Sequence, residues 1–301
     1  MSNYFIRLLV IIFFFQIYNI ANSQKLSPKD KLNSVSTYRI VLEDESSFMG
    51  KMIMQTSDAI TFKTDAFDKL EVSVKKVKSI ELIDEKNIVK GVYWFKNPND
   101  TRYLFGPSAI NLKKGEGYYQ NTYLVINSFN YGITDYFTIG GGFEIISTVT
   151  GTPAFMITPK VGFKVSENFH AGGGLLYANV LTNDSPISGL GIAYGIGTYG
   201  SSNHNVTLGV GFGYVDKEIS NRPILTISGM TRIARKTALV TENWLVPGAA
   251  DLVTGRYYGV YSYGVRFFGE KIAVDLAFLN NPELFEIFRI GIPYVDFVIK
   301  F

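Results

Sequence analysis

The chain has 301 residues, with 29 Lys+Arg against 26 Asp+Glu, 29 Gly, 19 Tyr, 23 Phe and no Cys. The lack of cysteine excludes a disulfide-stapled scaffold, a thiolate metal site, a thiol nucleophile and a lipid-modified N-terminal cysteine, and a formal charge of only +3, evenly spread, argues against nucleic acid as a partner. Hydrophobic residues make up 47% of the chain, yet past the N-terminal stretch no apolar run reaches the roughly 18 residues that a membrane helix needs, so the reading turns to strands.

Residues 1–23 carry a basic position at Arg7, run through Leu8-Leu9-Val10-Ile11-Ile12-Phe13-Phe14-Phe15 and end in Ala21-Asn22-Ser23. A basic start, an apolar core and a small-x-small site are the three parts of a secretory signal. Gln16, Tyr18 and Asn19 cut the apolar stretch below spanning length. The sequence therefore predicts export, with a mature chain starting near Gln24.

Residues 24–90 read as a small periplasmic β domain. Tyr38, Ile40 and Leu42 alternate with polar neighbours, as do Ile60 and Phe62, and Leu70, Val72 and Val74; Met52 and Met54 follow Gly50. Five short strands in about 50 residues predict an SH3- or Sm-like module. No binding motif marks it, so an adaptor for a periplasmic partner and a plain folded spacer both stay open. Residues 91–101 read as a linker.

From 102 to 301 glycine and aromatic residues take over. Val206, Leu208, Val210, Phe212 and Tyr214 fall on one face, and Thr207, Gly209, Gly211 and Gly213 on the other. The same device recurs with Leu190, Ile192, Tyr194 and Ile196 against glycines and Ala193, with Ile272 to Phe278, and with Val295, Phe297, Ile299 and Phe301 against Tyr294, Asp296, Val298 and Lys300. Polar turns at Thr134-Asp135, Ser166 to Asn168, Ser201 to His204, Arg235-Lys236 and Gly269-Glu270 are spaced by about 33 to 35 residues, with a second break between each pair. Adding an opening hairpin around Lys113 to Gly117 gives about twelve strands, long enough to cross a membrane when tilted. The expected class is all-β: a transmembrane antiparallel up-and-down barrel of about twelve strands behind the small β domain. Its bulky face should meet lipid, and its small or polar face should line the inside.

The signal, the small β domain, the segment Thr101-Arg102-Tyr103-Leu104-Phe105-Gly106-Pro107, the run Lys113-Lys114-Gly115-Glu116-Gly117-Tyr118-Tyr119 and the Phe-terminated last strand resemble outer-membrane β-barrel proteins of Bacteroidota. The likeness implies architecture and cell outer-membrane localisation, and brings no substrate with it. The final Tyr294 to Phe301 also looks like the signal read by the barrel assembly machinery, with Tyr294, Phe297 and Phe301 as its marks.

Following the Phe301 parity inward places Glu144, Thr158, Lys160, Lys164, Arg222, Arg232, Arg266, Asp275 and Asp296 in the lumen. A lipid-facing Arg or Lys at the midplane would cost roughly 2–4 kcal/mol. One stretch resists: in Leu239 to Leu245, Glu242 shares a face with Val240 and Trp244, which would call for a bulge or a shorter crossing. Two readings of the lumen remain. In one, Lys160, Arg232 and Arg266 favour anions along a narrow path shaped by Asp275 and Asp296; in the other, the charges pair and fill the space.

No cofactor, metal or catalytic site is expected. Gly195-Ile196-Gly197-Thr198-Tyr199-Gly200 matches a dinucleotide fingerprint in letters, but sits in an alternating strand rather than before a helix. His170 and His204 fall at turns of different hairpins, and no G-x-S-x-G occurs. The leading expectation is a structural barrel or a narrow passive pore for small solutes, partnered by outer-membrane lipid. A membrane-anchored binding protein acting through its β module and outer loops comes second, and a lipid enzyme third.

Overall fold

The structure, a computed structural model, describes residues 25–27, 30–90, 92–181, 189–215, 218–248 and 257–301. The expected signal at 1–23 lies outside these residues, as do the break at Asn183-Asp184-Ser185, Lys217 and most of the break from Pro247 to Gly255. The described residues divide into two compact units, one ending at Phe95 and one beginning at Lys96.

In the first unit, β1 (Lys25–Leu26), β2 (Thr37–Leu42), β3 (Ser47–Gln55), β4 (Ala59–Lys63), β5 (Leu70–Ser73) and β6 (Val77–Leu82) form an antiparallel sheet in the order β1-β6-β2-β3-β4-β5. The short β7 (Ile88–Val89) and β8 (Val92–Tyr93) pair separately. Period-two alternation puts Tyr38, Ile40, Ile60, Phe62 and Val72 into one core with Ile80. A 3₁₀ turn at Val74–Lys76 ends the third alternating run one residue before Val74.

The second unit contains β9 (Gly117–Thr122), β10 (Ile126–Gly132), β11 (Phe137–Glu144), a short helix α1 (Ile145–Val149), β12 (Ala154–Ile157), β13 (Lys160–Ser166), β14 (Phe169–Val180), β15 (Leu190–Gly200), β16 (His204–Val215), β17 (Glu218–Ala234), β18 (Thr237–Pro247), β19 (Tyr257–Phe268), β20 (Ile272–Asn280), α2 (Pro282–Ile287) and β21 (Ile292–Lys300). Apart from β12 and β13, each strand pairs antiparallel with its successor, and β21 pairs with β9, so the sheet closes. β12 and β13 both lie between β11 and β14, split at Thr158-Pro159, where proline has no N–H for the ladder. The thirteen segments of this sheet are therefore twelve crossings.

The division into twelve differs from the one expected. The opening hairpin is not at Lys113 to Gly117; it turns at Tyr123 and Leu124, which adopt φ of 55° and 63°. Residues 102–112, counted as a strand in the sequence, are not one. The segment 91–101, expected to be a linker, is in its second half packed inside the barrel, with Asn97, Asn99, Asp100 and Thr101 all buried. A run of Asn, Asp and Thr reads as solvated loop, but the inside of this barrel is a polar environment too.

Outward faces carry the apolar belt. Val206, Leu208, Val210 and Phe212 of β16, Leu276 of β20 and Val295 and Ile299 of β21 are all exposed. Tyr136, Phe163 and Tyr199 sit outward beside the short turns, as interfacial aromatics do. Among the described residues no helix is long and apolar enough to cross a membrane.

The inner face corrects one expectation. On β15 the bulky face points inward, not to lipid: Ile192, Tyr194 and Ile196 line the lumen. They fill the space over inward glycines of β14 and β16, where Gly174 pairs with Tyr194 and Tyr194 with Gly211. The layer is thus large beside small, which is how a closed interior fills without clash. A Cβ on Gly174 would lie 2.5 Å from the Pro159 carbonyl oxygen and 2.6 Å from the Tyr194 hydroxyl, whereas one on Gly195 meets nothing nearer than 4.0 Å. Gly174→Ala should therefore cost about 1–3 kcal/mol by overpacking, and Gly195→Ala less than about 0.5 kcal/mol, as read by urea unfolding of the protein folded into lipid vesicles.

Candidate functional site

The inner wall of the barrel is organised around residues 97–112, which form a hairpin within the lumen. Ser108 N–H donates to the Thr101 carbonyl at 3.1 Å, Arg102 and Pro107 form an isolated bridge, and Tyr103 N–H donates to the Gly106 carbonyl at 2.8 Å across the tip. Tyr103, Leu104, Ala109 and Leu112 are all buried. The base of this plug lies at the short-turn end, where Lys300 Nζ donates to the Pro98 carbonyl at 3.0 Å and Asn97 Nδ2 to the Ser202 carbonyl at 2.7 Å.

Three groups of wall residues hold it. At the tip, the backbone N–H groups of Leu104, Phe105 and Gly106 donate to one Glu242 oxygen at 2.8, 3.0 and 2.8 Å. The other oxygen of Glu242 accepts from Trp244 Nε1 at 2.8 Å. Gly106 permits this approach, since a Cβ there would come within 3.2 Å of the Glu242 carboxyl carbon. Glu242 thus faces inward with Val240 and Trp244, and no bulge is needed. Its neighbour Ser262 takes over where the ladder between β18 and β19 is interrupted, donating to the Glu242 carbonyl and accepting from its N–H.

The second group is a charge row. Arg266 on β19, Asp275 on β20 and Asp296 on β21 are direct cross-strand neighbours. Arg266 grips Asp275 through Nε at 2.6 Å and Nη2 at 2.7 Å, and donates to the plug carbonyls of Asn99 and Tyr103. Two adjacent carboxylates would repel, and the plug supplies the missing cation: Arg102 Nη1 lies 3.0 Å from Asp275 and 3.1 Å from Asp296. Tyr294 and Gln120 complete Asp296 with hydrogen bonds of 2.8 and 2.6 Å. The third group is neutral or singly charged. Lys160 Nζ donates to the Ser108 and Ile110 carbonyls at 2.9 and 2.7 Å, Thr198 accepts from Ala109 N–H at 2.7 Å, and the Tyr103 hydroxyl reaches Asn205 and Thr207.

Of the residues expected in the lumen, Lys160, Arg266, Asp275 and Asp296 therefore converge on the plug. Arg232 is buried nearer the short turns, bonded to Asn203 and the Arg235 carbonyl and stacked 5.0 Å from the Phe268 ring centroid. Glu144 caps α1, accepting from Ile146 and Ser147 N–H groups. Arg222 lies 5.9 Å from the Tyr257 ring centroid, and Lys164 is exposed at the ladder position opposite His170. Phe297 and Phe301 keep the outward parity, while Tyr294 is buried inside. His204 Nδ1 shares a hydrogen with Thr231 at 2.7 Å, and the fingerprint glycines 195, 197 and 200 lie within β15.

Beside the plug runs a chamber of about 260 Å³. Trp244, Ile192 and Ile224 border it toward the outer half, and it passes along the plug to Leu112, Tyr118 and Thr138 near the short-turn end. A closed wall of twelve crossings, greasy outside and with each crossing hydrogen-bonded to the next, is the β arrangement that hydrocarbon permits. The chain is an integral outer-membrane β-barrel. No protein-family model matches it, and neither does any curated protein. Among solved structures it is similar to a KdgM porin (8% identity, covering 62% of this chain and 95% of that chain, TM-score 0.41) and a NanC porin (9%, 62% and 96%, TM-score 0.40). It is also similar to OmpT of Vibrio cholerae (11%, 94% and 100%, TM-score 0.32). The placement in the membrane rests on the closed wall and its apolar exterior.

Glu242 stands out in the sequence only as an anomaly of parity and Arg102 only as part of a motif; that they hold the plug is seen from their contacts alone. Glu242→Ala removes the acceptor of three buried N–H groups, each worth about 1–3 kcal/mol when left unpaired. The variant should loosen the tip enough for chymotrypsin to cut at Tyr103 to Phe105 in the membrane-inserted protein, while the parent stays intact there.

Proposed function

We propose that the protein is a narrow passive channel for small solutes in the outer membrane, with residues 97–112 as its constriction. The observation that carries this reading is the chamber that runs beside the plug from Trp244 to Thr138 and Tyr118. The charged wall residues hold the constriction rather than line a wide aqueous path, so the conductance is small. The plug is bound by hydrogen bonds and ion pairs that exchange with water once loosened, which makes its position adjustable.

The first unit is read as an SH3- or Sm-like module over 24–90, following removal of a signal at 1–23. What supports this is the run of five strands from β2 to β6, with a 3₁₀ turn before β6. With short turns on the periplasmic side, the base of the plug faces the periplasm, where the module would meet a partner. Phe297 and Phe301, outward on the last strand, support recognition by the barrel assembly machinery, and the resemblance of the motifs to Bacteroidota barrels supports a common architecture.

Single-channel recording in planar bilayers tests the channel. The parent protein should give small unitary steps, and Arg102→Ala, which frees the plug from Asp275 and Asp296, should raise the mean conductance several-fold. Silence of both proteins after verified insertion would remove the channel reading.

A further inference from the structure

The chamber has a chemical character of its own. Its outer-half wall is apolar where it meets Ile192, Ile196, Ile224 and Trp244. The plug tip adds Phe105, which is 52% exposed although it packs edge-on against Tyr294 at 4.9 Å. An aromatic ring left uncovered in this way gains by burying the rest of its surface.

The charges are one-sided. Among the described lining residues none is acidic, and the two charged ones, Arg102 and Lys160, are cations. The Lys160 ammonium is spent on the carbonyls of Thr101, Ser108 and Ile110. Arg102 keeps donors in reserve although its charge is balanced by the two aspartates. It is 2% exposed, its Nη1 holds Asp275 and Asp296, and its Nε and Nη2 are buried without a hydrogen-bond partner among the described residues. Buried guanidinium donors without an acceptor are costly, and neither Asp275 nor Asp296 lines the chamber.

We propose that the chamber binds an amphipathic anion, a small molecule with an apolar chain and a carboxylate head. The head is accepted at the free donors of Arg102, in the fork geometry that guanidinium offers to carboxylate, and the chain lies against Ile192, Ile196, Ile224 and Trp244. This deepens the channel reading, on which it rests for how the solute reaches the lumen, by naming the solute class. The contact with Trp244 adds a consequence: its indole holds the same carboxylate, Glu242, that latches the plug tip, so an occupant touches the latch.

The test uses intrinsic fluorescence. The chain has two tryptophans, Trp94 and Trp244, so a Trp94→Phe protein in lipid nanodiscs reports from the chamber alone. Octanoate should change the emission saturably, octanol should bind about tenfold more weakly or worse, as loss of one hydrogen bond to a charged group implies, and octylammonium should give no saturable change. Arg102→Gln should erase the preference for octanoate over octanol. Because that variant also touches the plug, Ile192→Phe, which fills the chamber and leaves every charge in place, should weaken octanoate and octanol together. Equal binding of octanoate and octylammonium, or an octanoate affinity unchanged by both substitutions, would overturn the proposal. Saturable octanoate binding to a protein silent in bilayers would keep the site and remove the channel; conductance without binding would do the reverse.

Discussion

Two aspartates placed side by side on neighbouring strands, Asp275 and Asp296, are both buried in the barrel interior. A buried carboxylate is several kcal/mol uphill unless paired and hydrogen-bonded, and among the described wall residues one guanidinium, Arg266, serves the pair. The second comes from Arg102 on the plug, so two arginines and two aspartates form a neutral cluster with every member buried. Wall and plug are each incomplete alone. Arg266 also binds the plug carbonyls, which ties the path of the backbone to the same charges. Removing one partner of such a cluster strands the others, at about 3–5 kcal/mol.

From this anchor the rest of the interior follows. Once Arg102 is fixed, the tip at Tyr103 to Gly106 is carried to Glu242, three N–H groups meet one oxygen, and the returning strand brings Ala109 to Thr198 and Ser108 to Lys160. The plug occupies the polar part of the lumen. What it leaves beside and above it is lined by Ile192, Ile196, Ile224 and Trp244, so one cylinder encloses two environments, an ionic one that holds the chain and an apolar one that is vacant of it. That division sets the chamber beside the plug and makes most of its wall apolar.

The strand grammar was legible because its cause is simple: a wall with lipid on one side enforces period two, and the last strand, with Val295, Phe297 and Ile299 out and Asp296 in, shows it directly. The inward sorting of Lys160, Arg266, Asp275 and Asp296 followed from the same rule. Three features did not follow. The turn at Tyr123 and Leu124 carries no Gly, Asn or Asp, so nothing in Thr122 to Val125 separates one strand from the next, although both central residues take positive φ. The plug reads as linker and then strand, because a polar segment packed in a polar lumen has the composition of a loop and the alternation of neither. And β15 shows that periodicity gives two faces without saying which is inside: Ile192, Tyr194 and Ile196 are bulky yet inward, since the glycines across from them leave room. Glu242 was visible as an anomaly. An acidic side chain between Val240 and Trp244 needed partners, and three of them are backbone N–H groups of the plug, which sequence does not display.

Residues 97–112 sit within the barrel and not outside it. The chain has no cysteine, so an engineered pair reports without background. Ala109→Cys combined with Thr198→Cys joins positions whose backbone N–H and hydroxyl are 2.7 Å apart. Oxidation of the folded, membrane-inserted protein should close this disulfide nearly completely and shift its mobility on a denaturing gel. Thiols that stay open, and that react with a water-soluble maleimide as fast as a Glu270→Cys surface control, would contradict the account.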